Sequence, residues 1–345
     1  MKYNTLPGTE ISISEICLGT MTFGEQNNES EGHKQLDYAL EHGINFIDTA
    51  ELYSVPASAA TYGSTETIIG TWLKKSGKRK QVVLASKISG PGEYAAHIRS
   101  TGFTKQAVTE ALHGSLKRLQ TSYLDLYQLH WPTRPANYFG VRNYVHSEAA
   151  LQEDNFLTVL ETLNDFVKAG KIRQIGISNE TAWGTMRYLN EAEKHHLPRM
   201  KTIQNPYSLL NRTFEGALAE VAMQEQVGLL AYSPLAFGVL SGKYRNGQTP
   251  EKGRVTLYPR FDRYSNEQCV KAVNLYYALA LENNLTLTEL SLAFVRQKPW
   301  VSSTIIGATT IDQLKENIAT TEIILGPSLL KGIDAINSEI PNPAP

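Results

Sequence analysis

From residue 16 almost to the C-terminus, short β-branched runs alternate with longer stretches whose apolar residues recur every three or four positions. The runs, at 16–20, 45–48, 82–86, 124–129, 174–177, 202–204, 228–231 and 303–306, are eight predicted strands. Between them, Leu36, Ala39 and Leu40 share a helical face that begins near Ser30 and stops at Gly43, and 65–75 repeats the pattern up to Gly77. Over 104–119, Val108, Leu112, Leu116 and Leu119 form one stripe and leave Lys105, Glu110 and Lys117 to water. Phe156, Leu160, Leu163 and Val167 do the same before Gly170, and further helices are predicted at 186–193, 214–224 and 313–318. Such alternation is the mark of βαβ units, which close into a barrel or spread into an open, doubly wound sheet.

The glycine pattern decides between them. An open dinucleotide-binding sheet carries G-x-G-x-x-G after its first strand. Here that turn reads Gly19-Thr20-Met21-Thr22-Phe23-Gly24, and no G-x-x-x-x-G-K occurs. The expectation is an α/β fold, a (β/α)8 TIM barrel. Pro7-Gly8, between two alternating runs in 3–13, predicts an N-terminal β-hairpin capping the barrel bottom. The 345 residues suit one barrel, since such folds run from roughly 200 to over 400 residues. With no linker, repeat or low-complexity tract in view, 1–345 is expected to be one domain. Two irregular stretches, 54–62 and 133–154, stand out, the second rich in aromatics.

Composition narrows the chemistry. A charged fraction of 19% and net charge of −1 leave no electrostatic footprint for nucleic acid. No apolar run approaches the roughly 18 residues of a membrane span, and the N-terminus lacks a signal-peptide core. Cys17 and Cys269 are too isolated to suggest a disulfide framework or zinc site, so a cytoplasmic setting without a metal is expected, and sequons such as Asn211-Arg212-Thr213 are chance. The partner implied is a small molecule.

In a β/α barrel the active site forms at the carboxyl ends of the strands. Asp48 and Tyr53 follow the second strand, Lys87 the third, His130 the fourth, Ser178 and Asn179 the fifth, Gln204 and Asn205 the sixth, and Tyr232 and Ser233 the seventh. Singly, each has an ordinary reading: Asp48 as a turn cap, Tyr53 as amphipathic packing, His130 as a hydrogen-bonded core imidazole. Lys87 resists such a reading, because it interrupts the apolar run Val82-Val83-Leu84-Ala85-Ser86 and a buried lysine requires an anion. Asp48 is the nearest candidate by strand order. An ammonium beside a phenol stabilises the phenolate, so Lys87 is expected to draw down the pKa of Tyr53. His130 would donate a hydrogen bond to a substrate carbonyl oxygen and orient it.

Asp48, Tyr53, Lys87 and His130, in this order and on these strands, resemble the Asp-Tyr-Lys-His tetrad of the aldo-keto reductases, most closely bacterial members. The resemblance extends over essentially the whole chain, through Ile44-Asn45-Phe46-Ile47-Asp48-Thr49-Ala50-Glu51-Leu52-Tyr53, Ile172-Arg173-Gln174-Ile175-Gly176-Ile177-Ser178-Asn179 and Thr304-Ile305-Ile306-Gly307-Ala308-Thr309. It implies an NADP(H)-dependent oxidoreductase that reduces an aldehyde or ketone to an alcohol, Tyr53 acting as the acid. Ser178, Asn179 and Gln204 match residues that hold the carboxamide, with Thr20, Met21 and Asp48 beside them, and Tyr232 matches the aromatic that stacks on the nicotinamide. Ser233, Pro234, Leu235, Gly238 and Lys243 match the loop over the pyrophosphate, with Arg254 a further counterpart, and Gly307, Thr309, Gln313, Glu316 and Asn317 match the adenosine end. A helix opening after Gly307-Ala308-Thr309-Thr310 would itself favour phosphate. Gln313 is a departure, since many members place there an arginine that pairs with the 2′-phosphate.

Two other readings share these residues. Lys87 at a strand end suits the Schiff base of a class I barrel aldolase, and a nicotinamide site with slow turnover suits a redox-sensing regulatory module. A metal-dependent hydrolase lacks H-x-H or H-E-x-x-H spacing. Monomer and homo-oligomer are both compatible with the chain, and the physiological substrate is not encoded in a recognisable motif.

Overall fold

A computed structural model describes residues 1–146 and 155–345, so that part of the aromatic stretch 133–154, residues 147–154, lies outside the described residues. Eight parallel strands, β3 (Ile16–Gly19), β4 (Phe46–Asp48), β5 (Val83–Ile88), β6 (Leu124–Leu129), β7 (Ile172–Ser178), β8 (Thr202–Pro206), β9 (Gly228–Tyr232) and β10 (Val301–Ile306), close into a barrel. β10 pairs with β3 to complete the ring. Every predicted run falls on one of these strands, with ends displaced by a residue or two.

An antiparallel hairpin precedes them, β1 (Tyr3–Thr5) against β2 (Ser12–Ser14), with Asn4 opposite Ile13. It turns Leu6, Ile11 and Ile13 into the barrel against Phe46, Val83, Leu126, Leu230 and Ile305. The Asn4 side chain donates to the Ser302 carbonyl at 2.9 Å, and Asn45 accepts from the Ser14 amide at 2.8 Å. Asn45 and Ser302 stand at or just before the start of their strands, so the hairpin seals the amino-terminal end of the barrel. Each large apolar side chain so buried stabilises by roughly 1.5–3 kcal/mol.

The helices are α1 (Glu29–Glu41), α2 (Ser64–Ser76), α3 (Lys105–Arg118), α4 (Phe156–Lys168), α5 (Ala182–Lys194), α6 (Leu218–Gln224), α7 (Arg254–Leu257), α8 (Glu267–Glu282), α9 (Leu287–Arg296), α10 (Ile311–Ala319) and α11 (Pro327–Glu339). α1 starts two residues earlier than Ser30 suggested, because Asn28 accepts from the Glu31 amide while the Glu31 carboxylate accepts from the Asn28 amide. α7, α8, α9 and α11 were not read from the pattern; α7 is only four residues long, and the core face of α8 is partly made of Cys269, Ala272 and Ala280, too small to mark a strong stripe. The outward faces of the strands and the inner faces of the helices form one continuous apolar shell. No helix among the described residues is long and apolar enough to cross a membrane.

Candidate active site

Alternation along the strands sends Phe46 and Asp48, then Val83, Ala85 and Lys87, then Leu126 and Gln128, into the barrel. Apolar side chains fill the lower layers; the uppermost is polar. Lys87 and Gln128 are register partners across β5 and β6, and Ser178 pairs with Gln204 across β7 and β8. Lys87 is fully buried, and its ammonium donates to Asp48 Oδ2 at 2.6 Å and to the Thr49 carbonyl at 2.7 Å. Asp48 Oδ1 accepts from Gln204 Nε2 at 2.9 Å and from Gln128 Nε2 at 3.2 Å. A buried ion pair needs such additional donors to offset its desolvation, and here both carboxylate oxygens are occupied.

Tyr53 and His130 stand above this floor. A turn after β4, closed by the Tyr53 amide on the Ala50 carbonyl at 3.1 Å, carries the phenol to where the Lys87 ammonium lies 5.1 Å from its ring centre. His130 leaves β6 with its amide on the Ile88 carbonyl at 2.9 Å, and its ring meets Tyr53 edge-on at 5.7 Å. Asn179, at φ +53°, turns its side chain back to donate to the His130 carbonyl at 2.9 Å, and accepts from the Tyr232 hydroxyl at 2.6 Å. Asparagine tolerates that left-handed backbone better than most residues.

The electrostatics correct the sequence reading. Burial pushes the Tyr53 hydroxyl well above the usual phenol range, and the Asp48 carboxylate adds to the effect. Lys87 was expected to lower it, but the cation that draws it down is Arg254, and burial with the Asp48 charge outweighs that pull. Tyr53 is therefore a protonated phenol at neutral pH. Burial, reinforced by Lys87, holds His130 well below the usual imidazole range, so its ring is neutral, and its Nδ1 is buried without a hydrogen-bond partner.

Above them opens a cavity of about 740 Å³. Its wall includes Thr20, Met21, Asp48, Tyr53, His130, Ser178, Asn179, Gln204, Tyr232, Ser233, Pro234, Leu235, Gly238, Lys243, Arg254, Gly307, Thr309, Gln313, Glu316 and Asn317. Of the residues singled out in the sequence as tetrad or cofactor candidates, only Lys87 is not on that wall, lying beneath Asp48. Thr20 Oγ1 donates to the Asp48 carbonyl at 2.8 Å and ties β3 to β4. Gly238 has φ +91°, and a Cβ there would come within 2.9 Å of Lys243 Nζ, so glycine both makes the turn and leaves room for the ammonium. Thr310 caps α10 by accepting from the Gln313 amide at 3.2 Å. The Gln313 side-chain oxygen is taken up locally by the Thr309 amide at 2.9 Å.

Sequence reasoning missed an aromatic section of the wall, Tyr94, Trp131 and Phe139, and two cations, Lys252 and Arg263. Trp131 packs its ring 4.9 Å from His130 and 5.8 Å from Phe139. Its adjacency to His130 was the available signal; the placement of Tyr94 and Phe139 depends on loops with no periodicity.

Residues 15–338 match the family described as Aldo/keto reductase family. The chain belongs to that family. It is 52% identical to Protein tas of Escherichia coli over the full length of both chains, and 34% identical to the uncharacterized oxidoreductase YrpG of Bacillus subtilis, covering 97% of this chain and 96% of the other. Aldo-keto reductase YhdN of Bacillus subtilis is 29% identical across 91% of this chain and 87% of its own. Membership makes this an oxidoreductase acting on small molecules, and the closed barrel with its amino-terminal hairpin is the architecture expected from the sequence.

Proposed function

We propose that residues 1–345 act as one domain that binds NADP(H) along this cavity and reduces an aldehyde or ketone to an alcohol. The observation that carries the reading is the cluster at the cavity floor, a protonated Tyr53 within 5.1 Å of a fully buried Lys87 ammonium that is itself locked to Asp48. Lys243 and Arg254 face the cavity beside the Gly238 turn, neither with a carboxylate partner among the described residues, and burial lowers the pKa of both. Desolvated, unpaired cations suit the pyrophosphate of a dinucleotide, and the capped start of α10 suits a further phosphate. When bound, the nicotinamide would supply hydride to the carbonyl carbon. Tyr53 gives its hydroxyl proton to the carbonyl oxygen, and the Lys87 ammonium stabilises the phenolate left behind. His130, neutral and with Nδ1 unpartnered, keeps its proton on Nε2 and donates it in a hydrogen bond that orients the same oxygen. Gln313 offers a neutral amide where an arginine would bind a 2′-phosphate strongly, so the preference for NADPH over NADH is modest.

A Schiff-base role for Lys87 is disfavoured by its burial and by its two hydrogen bonds below the floor. Tyr53→Phe tests the proposal. Removing a general acid lowers turnover by about 10²–10⁴-fold, so NADPH-dependent reduction of benzaldehyde should fall by that factor while NADPH binding, followed by fluorescence, persists. Near wild-type turnover in the variant would remove Tyr53 from the mechanism.

A further inference from the structure

Besides Lys243, Arg254 and the exposed Lys252, a further cation lines the cavity, and hydride transfer does not call for it. Arg263, the last residue but one of the turn Pro259–Tyr264, lies on the cavity wall, its guanidinium carbon 4.8 Å from the ring centre of Tyr264 and 5.6 Å from that of Phe237. Burial alone would lower its pKa, but the Tyr264 and Tyr232 hydroxyls beside it hold the value above that of an ordinary arginine. No carboxylate pairs with it among the described residues, although Asp262 precedes it on the same wall. A half-buried guanidinium without an anion is costly to keep.

Two chains of contact tie Arg263 to the reacting end. On one side Tyr232 donates to Asn179, which donates to the His130 carbonyl, at 2.6 and 2.9 Å. On the other, Arg263 Cδ lies 3.6 Å from where a Cβ of Gly140 would stand, next to Phe139, whose ring meets Trp131 at 5.8 Å. The cation therefore borders a slot walled by Trp131, Phe139 and Tyr94. These rings meet edge-on or tilted and so offer both faces and edges, which suits an aromatic partner, and a guanidinium favours a planar, bidentate anion.

We propose that the substrate is an aromatic or similarly flat carbonyl compound that carries a carboxylate, its body held in the aromatic slot and its carboxylate bound by Arg263. The proposal rests on the reductase reading for turnover but not for binding, and the test separates the two.

The reduction of 4-carboxybenzaldehyde and 4-methylbenzaldehyde by NADPH is compared in wild type, Arg263→Gln and Arg263→Lys. A charge-assisted hydrogen bond corresponds to about tenfold or more, so the wild-type kcat/KM ratio should favour the carboxylate by that factor and Arg263→Gln should abolish the preference. Arg263→Lys, a monodentate point charge, should retain part of it. A Gln variant that slows both aldehydes equally, or that weakens NADPH binding and keeps the ratio, overturns the proposal and returns Arg263 to a cofactor or packing role. Should neither aldehyde be reduced, the reductase reading fails, and binding of 4-carboxybenzaldehyde followed by tryptophan fluorescence decides alone. Binding about tenfold weaker in Arg263→Gln sustains the carboxylate site, and equal binding overturns it.

Discussion

Gly90 should not tolerate even one added carbon. A Cβ at this position would lie 2.3 Å from Nε1 and 2.4 Å from Cδ1 of Trp131, whereas real Cβ contacts stay beyond 3.0 Å. In Gly90→Ala the indole must therefore retreat by at least about 0.7 Å, the gap between 2.3 and 3.0 Å. Trp131 is only 4% exposed and donates Nε1 to the Pro91 carbonyl at 2.9 Å, so the movement strains a packed ring and breaks its hydrogen bond. Overpacking of this kind costs about 1–3 kcal/mol of stability. Its larger effect should be catalytic, because the Trp131 ring is 4.9 Å from His130, and misplacement of a reacting group by ~1 Å costs up to ~10²-fold. Steady-state reduction of benzaldehyde by NADPH should show kcat/KM lowered by roughly ten- to a hundredfold. Trp131→Leu removes the ring that causes the clash, so Gly90→Ala should cost much less in that background, giving a coupling of at least ~1 kcal/mol in a double-mutant cycle. Wild-type kcat/KM in Gly90→Ala, or strict additivity with Trp131→Leu, would refute the claim that this indole forms the wall beside the reacting carbonyl.

The protonation states of Tyr53 and His130 can be checked together. Tyr53 lies above pH 10 and His130 below 6.5, so neither changes charge between them, and kcat/KM for reduction should be flat across that window. An inflection between pH 7 and 9 that Tyr53→Phe removes would contradict the raised phenol. Away from the cavity, Glu66 is fully buried and receives Arg118 Nε at 2.7 Å. Arg118→Leu strands that carboxylate and should cost about 3–5 kcal/mol in urea unfolding; a loss below about 1 kcal/mol would mean the pair contributes no more than a surface bridge.

The polar floor was legible in the sequence because a lysine in an apolar strand poses a problem with few solutions. The period of two places Lys87 on the inner face, and burial there demands an anion, which Asp48 supplies one strand away. Gln128 escaped notice for the converse reason: a glutamine in β6 is neutral, and only the register opposite Lys87 shows that its amide completes the shell around Asp48. Of the aromatic slot only Trp131 was legible, through its adjacency to His130, and Arg263 was not. Tyr94, Phe139 and Arg263 lie on loops whose turns carry no period, and they meet only after the barrel has brought the ends of β5, β6 and β9 together.

The sign of the Tyr53 shift shows where strand-order reasoning stops. Neighbours can be named from a sequence, but the balance between an ammonium, a carboxylate and lost water depends on depth. At this depth burial dominates, and the Asp48 that steadies Lys87 itself raises the phenol further. That balance suits the proposed reduction, in which Tyr53 would arrive protonated and lose its proton only as charge grows on the substrate oxygen. On the proposed mechanism the ammonium would then act on the phenolate formed during the reaction, when its stabilisation lowers the barrier, instead of depleting the acid beforehand.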